Sequence, residues 1–244
     1  MVSYIITSIL AIVLGQVVSH LCKKLPPVVE EKITYKEYYK TLFTDFKVDI
    51  KFSVIQLILF NMLIYYLHSS LVTYLYMFVI SILLIVFDID YRYQLIPDEA
   101  HIALGVIGII NLIANLSNWS SYLLGALTGG VIFLALGGIA LVIYKKEGMG
   151  FGDVKLMTAL GFIFGLKNIL IISLLSFFFG AIVGIILLLT KVKKSDSYMP
   201  FGPFIAIATV FLMFISPDVV INVYITFCSW LGMKISDFIY FFVK

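Results

Sequence analysis

Apolar residues run through this chain in long unbroken stretches. No charged residue falls between Phe52 and Phe87, and none between Ala100 and Tyr144. A bilayer crossing takes about 20 mostly apolar residues, so each stretch is too long for one ordinary helix and has to fold back. Polar and helix-breaking residues divide the chain into candidate spans. These are Tyr4 to Leu21, Phe52 to Leu67, Leu71 to Phe87, Glu99 to Leu116 and Tyr122 to Tyr144. A short helix over Val154 to Leu166 follows, then spans over Ile169 to Thr190 and Phe201 to Ile215. A tight turn at His68-Ser69-Ser70 joins the second and third spans. The last segment, Val219 to Phe242, contains Lys234 and Asp237 and either crosses or lies in the interface as an amphipathic helix. The expected fold is all-α, a polytopic transmembrane bundle of about eight or nine membrane helices.

Composition agrees with that pattern. The chain is 62% hydrophobic and 13% charged, against about a quarter charged in soluble domains. Cys22 and Cys228 are far apart and form no CxxC pair, so neither a zinc site nor a disulfide framework is expected. The segment Met1 to Leu21 lacks the basic start and small-residue cleavage site of a signal peptide and is read as a retained span. The net charge of +3 comes almost wholly from lysines beside the spans, which gives no support to nucleic-acid binding. Lysines of the loop Cys22 to Lys51, Arg92, Lys145, Lys146, Lys155, Lys191, Lys193 and Lys194 fall on one side; Lys167 falls on the other. By the positive-inside rule the first side is cytoplasmic. Asp88, Asp90, Asp98, Glu99, Glu147 and Asp153 share that side. GxxxG spacings at Gly125 to Gly129, Gly161 to Gly165 and Gly180 to Gly184 suit close helix packing within one bundle.

Two acidic clusters sit at helix ends. One runs from Asp88 and Asp90 to Asp98; the other is Gly148-Met149-Gly150-Phe151-Gly152-Asp153-Val154-Lys155. A carboxylate at the edge of the hydrocarbon is costly unless it is paired, solvated or functional. Asp98 and Asp153 could simply cap helices, and spacing alone does not decide. The alternating glycines before Asp153 favour function, because glycine lets backbone or substrate approach closely. Two aspartates brought together share a proton, so one can act as base on water and the other as acid. Such a pair hydrolyses a peptide without metal or cofactor. The chain has no GxSxG and no HExxH, and His20, His68 and His101, in different spans, are read as structural.

Three motifs carry a resemblance to a known family. Asp90 stands seven residues before the proline of Ile96-Pro97-Asp98; Gly148 to Lys155 reads GMGFGDVK; Pro200 to Phe204 reads PFGPF. Together, over about Leu71 to Ile215, the chain resembles the type IV prepilin peptidases, a branch of the GxGD aspartyl proteases. The resemblance implies the GxGD aspartyl protease fold, with catalytic Asp90 and Asp153. It implies substrate-binding or loop-supporting roles for Asp88, Pro97, Asp98, Gly150, Gly152, Lys155, Gly202 and Pro203. It implies an enzyme of the cytoplasmic membrane that needs no cofactor. That enzyme cleaves the basic leader of a prepilin or pseudopilin just before its hydrophobic helix, at the cytoplasmic face. Residues 1–70 then form N-terminal membrane helices with a reduced methyltransferase region, and 71–244 the peptidase membrane domain. Bifunctional members carry two CxxC pairs in a cytoplasmic domain; this chain lacks them, so N-methylation is not expected. Two other classes also place aspartates at membranes. A phosphotransferase acting on a lipid substrate would hold Mg²⁺ with them, but Arg92 and Lys155 are thin support for a phosphate site. A proton-coupled transporter would place acids in mid-span, where these spans are clean.

Overall fold

A computed structural model describes residues 2–25, 40, 49–145, 149–190 and 199–243. Most of the lysine-rich loop 26–48, together with Lys146, Glu147, Gly148 and residues 191–198, lies outside the described residues. The described chain is helical, with no strand among the described residues. In order the helices are α1 (Val2–Lys24), α2 (Ile50–Leu67), α3 (Leu71–Tyr93) and α4 (Asp98–Ala114). A 3-10 turn (Leu116–Asn118) leads to α5 (Trp119–Tyr144), followed by α6 (Phe151–Leu189), α7 (Gly202–Phe214) and α8 (Pro217–Val243). In hydrocarbon each backbone N–H and C=O has to find its partner within the chain, and a helix achieves this locally. Five of these helices are long and apolar enough to cross a bilayer, and six if the bent pair α7–α8 makes one crossing.

Polar residues set the helix ends. At the α2–α3 turn His68 takes φ 57°, and the Ser70 hydroxyl accepts the Thr73 N–H at 3.2 Å. The Thr73 hydroxyl donates to the His68 carbonyl at 2.8 Å. Helix α3 stops at Gln94, which takes the left-handed conformation (φ 54°) and donates its N–H to the Asp90 carbonyl. Pro97, with φ fixed near −63°, then opens α4. Near the other end of the sequence region, α1 and α2 are pinned by a reciprocal pair. Gln16 Nε2 donates to the Asp49 carbonyl, and the Asp49 N–H donates to Gln16 Oε1, each at 3.0 Å.

Helix α6 is broken at Gly165 and changes direction there. A side chain on Gly125 would meet both Gly161 and Gly165, and one on Gly129 would meet both Met157 and Ile169. In a straight helix Met157 and Ile169 would stand about 18 Å apart at ~1.5 Å per residue. For both to touch one glycine of α5, the chain has to reverse between them. Gly165 makes the reversal with φ 78° and ψ 176°, a conformation that residues bearing Cβ rarely adopt. The Leu166 N–H is received by the Ser121 hydroxyl at 3.3 Å. Thus α6 supplies two antiparallel segments, matching the separate helix and span expected on either side of Lys167. The core lies where they meet α3, α4 and α7, around Met77, Leu83, Leu104, Leu156 and Ile205.

Candidate active site

The last turn of α3 and the first turn of α6 converge. Asp90 is 5% exposed and Asp153 3% exposed. Both line one cavity of about 290 Å³, shared with Gln94, Ile96, Asp98, His101, Gly150, Phe151, Gly152 and Lys155. The two carboxyls are near enough to interact electrostatically. Burying two acids together in an apolar bundle is expensive, and no lysine or arginine pairs with either one among the described residues.

Backbone groups hold the acids instead. Asp90 Oδ2 accepts the Gly202 N–H at 2.8 Å. Gly202 is the first residue of α7, where N–H groups have no partner inside the helix. A Cβ at position 202 would sit 2.7 Å from Asp90 Oδ2, so any side chain there would displace the carboxylate. Pro203 follows at the second helical position, where its missing N–H costs nothing. Phe201 anchors the start of α7 against the Phe177 and Phe133 rings, at 5.1 and 5.8 Å between centroids. Asp153 donates its N–H to the Gly150 carbonyl at 3.1 Å, while its Oδ1 is buried and makes no hydrogen bond among the described residues.

The structure revises one sequence-based expectation. Asp98 and Asp153 do not cap their helices: Pro97 and Gly150 occupy the cap positions, without side-chain caps, and the acids lie inside the first turns. Negative charge is favourable there as well, because the helix dipole is positive at that end. At Gly152, which also lines the cavity, a Cβ would stand 3.3 Å from Ile96 Cβ, so the glycine lets the start of α6 pack closely on the α3–α4 connection. Asp88 lies outside the Asp90–Asp153 cavity. It pairs with Arg92 and borders an apolar groove of about 460 Å³ between α2, α3 and α7. Asp98 and Lys155 do lie together at the cavity, bonded at 2.8 Å, with the Lys155 ammonium 5.4 Å above the Phe151 ring.

His101 was read as structural, yet it lines this cavity. Its Nε2 lies 3.0 Å from the Gly152 carbonyl oxygen. The available signal was its place three residues after Asp98, which sets the two on one helix face. Among the described residues no three His, Cys, Asp or Glu side chains gather in metal-holding geometry.

Comparison with known proteins bears on the same region. Residues 77–185, which contain both aspartates, match the type IV leader peptidase family. A prepilin leader peptidase/N-methyltransferase of Xanthomonas campestris pv. campestris is 39% identical over 133 residues, 54% of this chain and 46% of that protein. One of Bacillus subtilis is 35% identical over 147 residues, 60% of this chain and 57% of that protein. The chain thus spans about half the length of the curated relatives it matches. No solved structure matches it significantly.

Proposed function

We propose that this chain, whose residues 77–185 match the type IV leader peptidase family, is a membrane aspartyl endopeptidase with Asp90 and Asp153 as its catalytic pair. The observation that carries the proposal is the convergence of two buried carboxyls on one cavity. In the reaction one carboxylate takes a proton from water as the oxygen attacks the scissile carbonyl carbon. The other, protonated, supports the carbonyl oxygen. As the C–N bond breaks, a proton passes to the leaving amine. The Gly202 N–H fixes Asp90 throughout, and burial excludes bulk water.

The substrate in this reading is a type IV prepilin or pseudopilin, with a basic leader ahead of an apolar helix. The apolar helix arrives from the lipid and the leader stays in the interface. The lysine bias of the loops supports a reading in which the pair lies at the cytoplasmic face of the cytoplasmic membrane. Co-expression with candidate prepilins tests the proposal, with processing read by gel shift and N-terminal sequencing. Release of a leader immediately before the apolar stretch is expected, and purified enzyme is expected to stay active in excess chelator. Activity lost in chelator and restored by Mg²⁺ or Zn²⁺ would favour metal-dependent chemistry such as the phosphotransferase.

A further inference from the structure

We infer that His101 is a positioning residue for Asp153: its ring donates an N–H to the Gly152 carbonyl and holds the backbone immediately before the catalytic acid. The inference rests on the aspartyl peptidase reading above. A carbonyl oxygen only accepts, so the nitrogen facing it, Nε2, carries the hydrogen. The contact ties α4 to the start of α6 across 51 residues of sequence. The ring is well covered, with its side chain 10% exposed. Its other nitrogen, Nδ1, is 3.5 Å from Asp98 Oδ1. That oxygen is held by Lys155 Nζ at 2.8 Å, and His101 Nδ1 makes no hydrogen bond among the described residues.

The bond falls on the first turn of α6, at the residue before Asp153. Gly150 and Gly152 flank Phe151 directly before Asp153, and glycine loses more conformational freedom on ordering than any other residue. Neither glycine offers a side chain by which this first turn of α6 can be gripped. The grip comes from Ile96, packed against Gly152, and from the His101 N–H on its carbonyl. Both His101 nitrogens face groups other than the two catalytic carboxyls, so the role is positioning rather than proton transfer. A misplacement of about 1 Å at a catalytic group can cost on the order of a hundredfold in rate, which gives this hydrogen bond leverage on kcat.

Two variants of the full-length protein in liposomes separate donor from bulk. His101→Phe keeps a ring and loses the donor; His101→Gln loses the ring and keeps an N–H. With a processed prepilin as substrate, His101→Phe is expected to lower kcat by roughly tenfold to a hundredfold with KM nearly unchanged. His101→Gln is expected to recover most of that loss. Hydrogen–deuterium exchange of the peptide covering 149–157, without substrate, is expected to quicken in His101→Phe and not in His101→Gln. His101→Met, also lacking a donor, takes the place of Phe if that variant does not accumulate in the membrane. Equal activity and exchange in all forms would overturn the inference, and so would equal losses in Phe and Gln. Wild-type protein that cleaves no prepilin would sink the peptidase reading instead, while the exchange pattern still decides the His101 contact.

Discussion

Asp88 and Asp90 are two residues apart and face different surroundings. Successive helical residues turn by about 100°, so the two side chains diverge by roughly 200°. Asp90 reaches the cavity with Asp153; Asp88 meets Arg92 beside the apolar groove. Asp90→Asn and Asp153→Asn are each expected to reduce prepilin processing by about a hundredfold or more, because Asn cannot exchange the proton. Asp88→Asn is expected to retain substantial turnover. Quantified cleavage at matched expression checks all three, and a dead Asp88→Asn beside an active Asp90→Asn would move the pair by two residues. Gly202→Val is expected to be as damaging as loss of Asp90, since its Cβ would occupy the carboxylate's place. The two aspartates were legible because motif spacing names side chains. The Gly202 contact was not, because a backbone N–H donating to an acid 112 residues away leaves no mark in composition or period. His101 was obscured for a related reason: its partner is a carbonyl, which every residue possesses.

At the scale of elements, the position of Asp153 depends on how closely α5 and α6 approach. Gly161 lies against the backbone of Gly125 itself, and a Cβ on either would collide with the other's main chain. Such contact is how helices gain packing in lipid, where burial from water no longer drives association. Gly161→Leu is therefore expected to force the helices apart and destabilise the fold by about 1–3 kcal/mol or more. Gly105→Ala, at a position with open space, is expected to leave stability unchanged. Thermal unfolding in detergent distinguishes them, and equal melting of the two variants would contradict close α5–α6 packing as a source of stability. Sequence reading placed the helix ends well at His68–Ser70 and around Lys167, where polar residues interrupt the apolar runs. It missed the cap positions of α4 and α6. Asp is the commoner cap, but proline's fixed φ at 97 and the extended backbone of Gly150 (φ −68°, ψ 140°) took the role.

At the scale of the whole molecule, the match covers only about half of relatives named for both peptidase and N-methyltransferase activity. It has no cysteine pair with which to build a zinc subdomain. Processed pilin is expected to keep an unmodified amino terminus, and a methyl group found by mass spectrometry and dependent on this protein would refute that. The reversal at Gly165 also sets a dimension. From Phe151 to the turn, α6 rises only about 21 Å, and the neighbouring α4 about 25 Å, at ~1.5 Å per residue. A typical hydrocarbon layer is ~30 Å thick. Lipid along this flank has to thin to meet the protein, at a cost that grows with each ångström of mismatch. On the proposed peptidase reading, bilayer thickness is expected to influence processing. In liposomes of matched headgroup, processing is expected to run faster with short acyl chains than with long ones, and a rate indifferent to chain length would show that the short flank is not in contact with lipid.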